Sequence, residues 1–249
     1  MRKTLVIFAR APRLGRGKQR LAADLGPVAA WQFQRWALDR AIRRLSGDPR
    51  WHCVIAATGG PARWPRNPRR IPQVNGDLGQ RMHHAMRRHE PGPVVLVGTD
   101  VPDITPHHIA DAFKALGRND AVFGPAADGG YWLIGLRRPE ATKVFTGIRW
   151  STAYTLSDSM DRLGHGRRYY LLETLRDIDD AESLRRRGAT TKPGRLIYRS
   201  CRRGISTTTR KSRKRVAGRI ARRASPPRRA GAVAPSRAPN SDAHPTRPP

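Results

Sequence analysis

The chain has 249 residues, 38% of them apolar, with two cysteines and a formal net charge of +30. That length suits one ordinary domain with an appendage, and two cysteines far apart argue against a disulfide scaffold or a Cys-rich zinc module. No run of about 18 apolar residues occurs, so no membrane span is expected, and the cytoplasm is the expected compartment.

The charge is uneven. Residues 190–249 hold 17 Lys/Arg against one acid, Asp242, so +16 sits there and +14 in the first 189 residues. The last stretch is rich in Pro, Ser, Thr and Gly and lacks the apolar periodicity needed to offset the entropy of ordering it. Two regions are therefore expected: a folded domain over 1–189 and a disordered, Arg/Pro-rich tail over 190–249. The opening "MRKTLVIFARAP" has too brief an apolar run for a signal-peptide core, and charge returns at Arg10.

In chain order, "TLVIFA" (4–9) is continuously apolar, as a strand covered on both faces should be. Residues 27–45 read as a helix with Pro27 in its first turn and Val28, Trp31, Leu38, Ile42 and Leu45 as an apolar stripe. "HCVIAAT" (52–58) is a second strand, followed by a Pro- and Arg-rich loop to about residue 73. Residues 78–89 read as a helix with Leu78, Met82 and Met86 on one face. "PVVLVGTD" (93–100) is a strand with Asp100 at its carboxyl end. Thr105 caps the next helix, which buries Ile109, Ala112, Phe113 and Leu116 and stops at Gly117.

Residues 121–125 and 131–136 are strands flanking a glycine-rich turn, "GPAADGG". Residues 150–163 form a helix with Ser151 as its cap, and "YYLLE" (169–173) is a last strand. Asp180 caps a short final helix containing Leu184. Short apolar runs alternating with longer amphipathic ones predict an α/β fold with a mostly parallel central sheet.

In such sheets ligands gather at the carboxyl ends of the strands. After the first strand comes "ARAPRLGRGKQRLA", whose glycines and cations Arg10, Arg13, Arg16, Lys18 and Arg20 suit phosphate oxygens. The spacing is not that of a Walker loop. Asp100 could hold a hard divalent cation bridging protein to substrate phosphates, whereas Asp103 is expected to cap a helix or steady a turn. Asp128 lies in the glycine-rich turn, and Asp177, Asp179 and Asp180 lie in "RDIDDAESL". Acids from separate segments beside one cationic loop predict a metal–phosphate site. His83, His84, His107 and His108 are expected on solvated helix faces, since adjacent helical histidines point about 100° apart and cannot chelate together. Trp31 and Trp36 read as packing residues, and Trp132 and Trp150 flank the site and could stack on a base or sugar.

The segments "FARAPRLGRGKQRLA", "GDLGQRM", "VGTDVPDIT", "GPAADGGYWLIGL", "WST" and "DIDDAESL", in this order, resemble the DUF2064 family of GT-A-like glycosyltransferases, which includes members of the arsenosugar-biosynthesis type. The chain is also similar to phospholactate guanylyltransferase and molybdenum-cofactor guanylyltransferase. The resemblance covers about residues 3–187 and implies a nucleotide-diphospho-sugar transferase fold, Rossmann-like, binding a nucleotide at the first strand's loop. By position it implies that Arg10, Gly15, Lys18 and Arg20 contact nucleotide phosphates. It implies further that Asp100 and Asp179 hold Mg²⁺ or Mn²⁺, and that Asp128, Gly129 and Gly130 line the acceptor side. Where the family reads Lys-Thr-Arg-Leu, this chain has Lys18-Gln19-Arg20-Leu21.

Three functions fit this reading. One is glycosyl transfer from a nucleotide sugar to a small-molecule acceptor, with Asp128 taking the acceptor's proton. The second is nucleotidyl transfer from a nucleoside triphosphate to an acceptor phosphate with pyrophosphate release. The third is nonspecific polyanion or nucleic-acid binding through the tail, whose attraction would fall steeply with salt.

Overall fold

The computed structural model describes residues 2–60, 64, 67–89, 91–139 and 143–190, with side chains to residue 187. The expected tail, and part of the Pro/Arg-rich loop, lie outside the described residues.

The strands are β1 (Thr4–Arg10), β2 (His52–Thr58), β3 (Arg69–Pro72), β4 (Val94–Val97), β5 (Ala121–Pro125), β6 (Tyr131–Leu136) and β7 (Tyr169–Leu171). The helices are α1 (Gln19–Leu25), α2 (Pro27–Leu45), α3 (Leu78–Arg87), α4 (Pro106–Ala115), α5 (Thr155–Leu163) and α6 (Ala181–Thr190). The seven strands form one sheet in the order β3-β2-β1-β4-β6-β5-β7. β1 pairs in parallel with β2 and β4, β2 with β3, and β5 with β7, whereas β6 is antiparallel to both β4 and β5. The fold is the mostly parallel α/β sheet that the sequence predicts.

Period-two alternation explains how both faces are filled. On β1, Leu5, Ile7 and Ala9 join Leu38, Ile42 and Leu45 of α2 and Ile109, Ala112 and Phe113 of α4 in one cluster. Val6 points the other way, into a cluster with Met82 and Met86 of α3 and Leu163 of α5. Each such fully buried Leu, Ile or Met side chain contributes on the order of 1.5–3 kcal/mol. A third cluster joins Leu21 of α1, Phe33 and Ala37 of α2, and Ile178.

Several local expectations change. On α2 the buried stripe is Ala30, Phe33, Ala37, Leu38, Ile42 and Leu45, and Val28 is exposed. Trp31 lies under the Arg35 guanidinium, 4.8 Å from it, instead of in the core. Leu78 is also on the exposed side of its helix, so α3 buries Gly79, Met82, Ala85 and Met86. α5 begins at Thr155 and Ser151 does not cap it. The Thr152 and Thr155 hydroxyls both donate to Arg149 O, at 2.8 and 2.9 Å, and hold residues 149–154 as turns. β3 is a strand where a loop is expected. Asp103 lies in a turn as expected but does not cap: Thr105 is the N-cap of α4, and Asp103 takes a two-pronged ion pair from Arg187, at 2.9–3.2 Å.

Candidate active site

Because β1, β2, β4, β5 and β7 all run the same way, their carboxyl ends form one rim, and a cleft of about 650 Å³ opens there. The β1–α1 loop reaches this rim through left-handed backbone at Gly15 (φ 74), Gly17 (φ 77) and Lys18 (φ 47). Gln34 Nε2 of α2 donates to Arg16 O at 3.1 Å and pins the loop from behind. The Lys18 side chain turns inward beneath α1 and is only 7% exposed.

Asp100 lies beyond the end of β4, its side chain largely exposed, not at a buried strand terminus as the sequence suggests. What reaches it is a strap of chain after β7. Leu172 N donates to Phe123 O, Leu175 N to Pro125 O, Ala127 N to Leu175 O, and Ile178 N to Asp100 O at 3.1 Å. The Ile178 side chain, 2% exposed, plugs the pocket between α1 and α2. Its neighbours Asp177 and Asp179 therefore face the cleft, since alternate residues of extended chain point oppositely.

The outcome is a compact charge centre. Lys18 Nζ lies 2.9 Å from Asp100 Oδ1 and 2.5 Å from Asp179 Oδ1, and an Arg20 Nη lies 3.4 Å from Asp179 Oδ2. Burial pulls the Lys18 ammonium down, but Asp100 and Asp179 outweigh it and hold its pKa above the ordinary lysine value. Burial pushes Asp179 up, while Lys18, Asp177 and Arg20 more than offset this and hold its carboxyl below the usual range. Asp177, one of the three acids that the sequence places in "RDIDDAESL", goes the other way. Burial first, then the bond to and charge of Asp179 and the charge of Asp128, push it up to about 6.

The glycine-rich turn forms the opposite wall. Asp128 Oδ1 accepts from Gly130 N at 2.9 Å, closing the turn, and Asp128 and Gly130 both line the cleft. Gly129 does not line it. At φ 87 it packs where a Cβ would lie 2.5 Å from Ala153 Cα, and its carbonyl accepts from Leu156 N of α5. Trp150 lines the cleft and stacks on Phe145 at 6.5 Å. Trp132 is buried, beneath Gly124 and His108, with its indole N–H given to Glu173 O at 3.2 Å.

At the β1–β3 end, Arg10, Gln73 and Arg81 also line the cleft. Gln73 Nε2 donates to Ala9 O and Ala56 O at 3.1 and 2.8 Å, which aims its carbonyl at the Arg81 guanidinium, itself 5.5 Å over the Phe8 ring. Arg81 lies in the motif "GDLGQRM" and Gln73 carries no sequence signal, because their convergence depends on β3. Of the predicted site residues, Arg10, Lys18, Arg20, Asp100, Asp128, Gly130, Trp150 and Asp179 share the cleft, and Gly15 and Gly129 shape its loops from outside. Among the histidines, His107 and His84 are solvated as expected. His108 is not: it contacts Glu173 Oε1 at 2.5 Å and the Trp132 ring. His83 is half-buried, its Nε2 3.1 Å from Pro139 O.

A mostly parallel sheet with one reversed strand, an inward-turned lysine on the first loop and carboxylates on the shared rim defines the nucleotide-diphospho-sugar transferase (GT-A, Rossmann-like) fold. The resemblance read from the motifs holds: residues 34–152 match the family model DUF2064, described as an uncharacterized protein conserved in bacteria. The chain is similar to a solved structure of a candidate nucleotide-diphospho-sugar transferase from Desulfovibrio desulfuricans, at 27% identity and a TM-score of 0.73 over 82% of this chain and 97% of that one. It is also similar to 4-diphosphocytidyl-2C-methyl-D-erythritol synthase of Anaerococcus prevotii, at 10% identity and TM-score 0.49 over 76% and 95% of the two chains. Rv0371c of Mycobacterium tuberculosis, solved in complex with manganese, gives 17% and 0.46 over 75% and 97%. No curated protein matches the chain.

Proposed function

We propose that the chain is a glycosyltransferase that moves a sugar from a nucleotide-diphospho-sugar donor to a small-molecule acceptor. The observation that carries this is the meeting of Lys18, Asp100 and Asp179, from three distant segments, on the rim of one cleft. The likeness to the Desulfovibrio protein supports a transferase in general.

The charge centre fits a divalent ion. Among the described residues no three acidic, His or Cys side chains form a closed metal cage. The two carboxylates converge on one ammonium, and Mg²⁺ is commonly held by one or two carboxylates plus substrate phosphates. Asp100 and Asp179 would hold Mg²⁺ or Mn²⁺, which, when bound, offsets charge on a leaving diphosphate.

The remaining work falls to the chain itself. Arg10 and Arg20, with Lys18, line the cleft as positive charge for phosphate oxygens, and charge of this kind stabilises negative charge growing in a transition state. Gly15 and Gly17 let the loop backbone approach the diphosphate closely. The acceptor lies between Trp150 and the Asp128–Gly130 turn, and its hydroxyl oxygen bonds to the anomeric carbon as the bond to the diphosphate breaks. A nucleoside diphosphate leaves, and the proton passes to a carboxylate of the Asp128–Asp177 wall, the acids not engaged by Lys18.

The test is product analysis. Incubation of purified protein with Mn²⁺, an acceptor panel and UDP-, GDP- or TDP-sugars is expected to release nucleoside diphosphate, with Asp179→Asn slower by at least about 100-fold. Pyrophosphate release from nucleoside triphosphates and an acceptor phosphate would transfer the same cleft to nucleotidyl chemistry. The donor side should also register as a raised melting temperature with the correct nucleotide.

A further inference from the structure

Lys18 differs from the other cations of the cleft. Its ammonium touches two carboxylates at 2.9 and 2.5 Å with 7% of its side chain exposed, whereas Arg20 is 76% exposed and touches Asp179 at 3.4 Å. Its backbone, at φ 47 and ψ 47, is left-handed, a conformation that a long side chain keeps only where its surroundings impose it. The surroundings do so: Gln34 holds Arg16 O from one side, and Ala22 N donates to Lys18 O at 2.8 Å to start α1 on the other. A fixed positive charge therefore sits between the two carboxylates that a divalent ion would bridge.

We infer that Lys18 is a built-in counter-cation that competes with the divalent metal for Asp100 and Asp179, and that donor phosphates relieve the competition by drawing its ammonium onto themselves. This rests on the transferase reading for the identity of the phosphates, but not for the competition itself. An ammonium and a divalent ion cannot both occupy the gap between the same two oxygens. Metal alone must displace a nearly buried cation and leave it unpaired, which is strongly unfavourable. Phosphate oxygens supply the replacement partner, since lysine binds phosphate as a point charge. Metal and nucleotide then bind with positive coupling, and each tightens the other by the same factor.

The experiment titrates full-length protein with Mn²⁺ and follows the electron paramagnetic resonance signal of free Mn²⁺, without nucleotide. Wild type is expected to bind weakly, and Lys18→Met and Lys18→Gln at least about tenfold more tightly. Equal affinity in all three overturns the inference. A second measurement serves if the variants do not fold: lysine-selective ¹H–¹⁵N spectra of wild type should show a slowly exchanging Lys18 ammonium. That signal should move on joint addition of diamagnetic Mg²⁺ and a nucleotide that raises the melting temperature, and an unmoved signal then overturns the inference. The two failures are separable. If no nucleotide raises the melting temperature, the transferase reading falls while the Mn²⁺ comparison still decides the role of Lys18.

Discussion

Ile178 shows how one side chain can set a site it never touches. Buried between α1 and α2, with its N–H on Asp100 O, it fixes the flanking acids. Ile178→Ala should cost about 2–5 kcal/mol in urea denaturation and lower turnover in the surviving fold by releasing Asp179, whereas Ile178→Val should cost about 0.5–1.5 kcal/mol with turnover retained. Gly129 is constrained differently, by a positive φ and by the Ala153 backbone that a Cβ would meet. Gly129→Ala should destabilise by about 1–3 kcal/mol, read from the same denaturation curves. His89 adds a pH dependence. Burial first, then the neighbouring charges of His52, Arg88, Arg69 and Arg2, lower its pKa below the ordinary 6.5. As pH falls below 6.5 the unfolded chain takes up a proton that the folded chain resists, so stability is full above 6.5 and declines toward the lower folded value. His89→Asn should flatten that part of the curve, and the His89 ring signal in wild type should titrate below 6.5. At this scale Asp100, Asp179 and Lys18 were readable as strand-end and loop residues of the kinds that handle metal and phosphate. Asp177 was readable as one acid of the same cluster, but its altered proton affinity was not, because that comes from burial and from Asp179 and Asp128, which only folding assembles.

Elements were legible where the sequence punctuates them. Gly26-Pro27 starts α2, and the helix runs to Leu45 as read, yet its apolar stripe was misjudged because Ala30 and Ala37, small and easily overlooked, face the core in place of Val28. β3 went unread because "RRIP" has one inward apolar residue, Ile71, and an edge strand needs no more. "WSTAYTLSDS" is compatible with helix from residue 150, but two threonine hydroxyls on Arg149 O, and Asp158 accepting Arg149 N at 3.0 Å, fix turns first, so α5 begins at Thr155. α3 illustrates a cap with a consequence for the site. Asp77 Oδ1 accepts from Gln80 N at 2.7 Å while Gln80 Oε1 accepts from Asp77 N at 3.0 Å, one turn before Arg81. Asp77→Ala should cost about 1 kcal/mol by denaturation, and it should weaken nucleotide binding if Arg81 serves the donor.

For the molecule as a whole, the sequence divides charge unevenly. The α/β part carries the cleft and +14, and residues 190–249 carry +16 with few aromatics. Removing residues 191–249 should therefore leave the melting-temperature response to nucleotides intact. The same truncation should lower the salt concentration that elutes the protein from heparin, since polyanion affinity scales with the cations neutralising phosphate-like charge. Loss of nucleotide response on truncation would assign the tail a part in the site.

The lone reversed strand has a consequence for how such a protein can diversify. Because β6 runs against its neighbours, the 126–130 turn that opens it stands on the same rim as the β1–α1 loop, yet the two belong to separate halves of the sheet. If the proposed transferase reading holds, donor choice and acceptor choice would be written in different loops on a common scaffold, and one could be rewritten by insertion or exchange while the other is inherited unchanged.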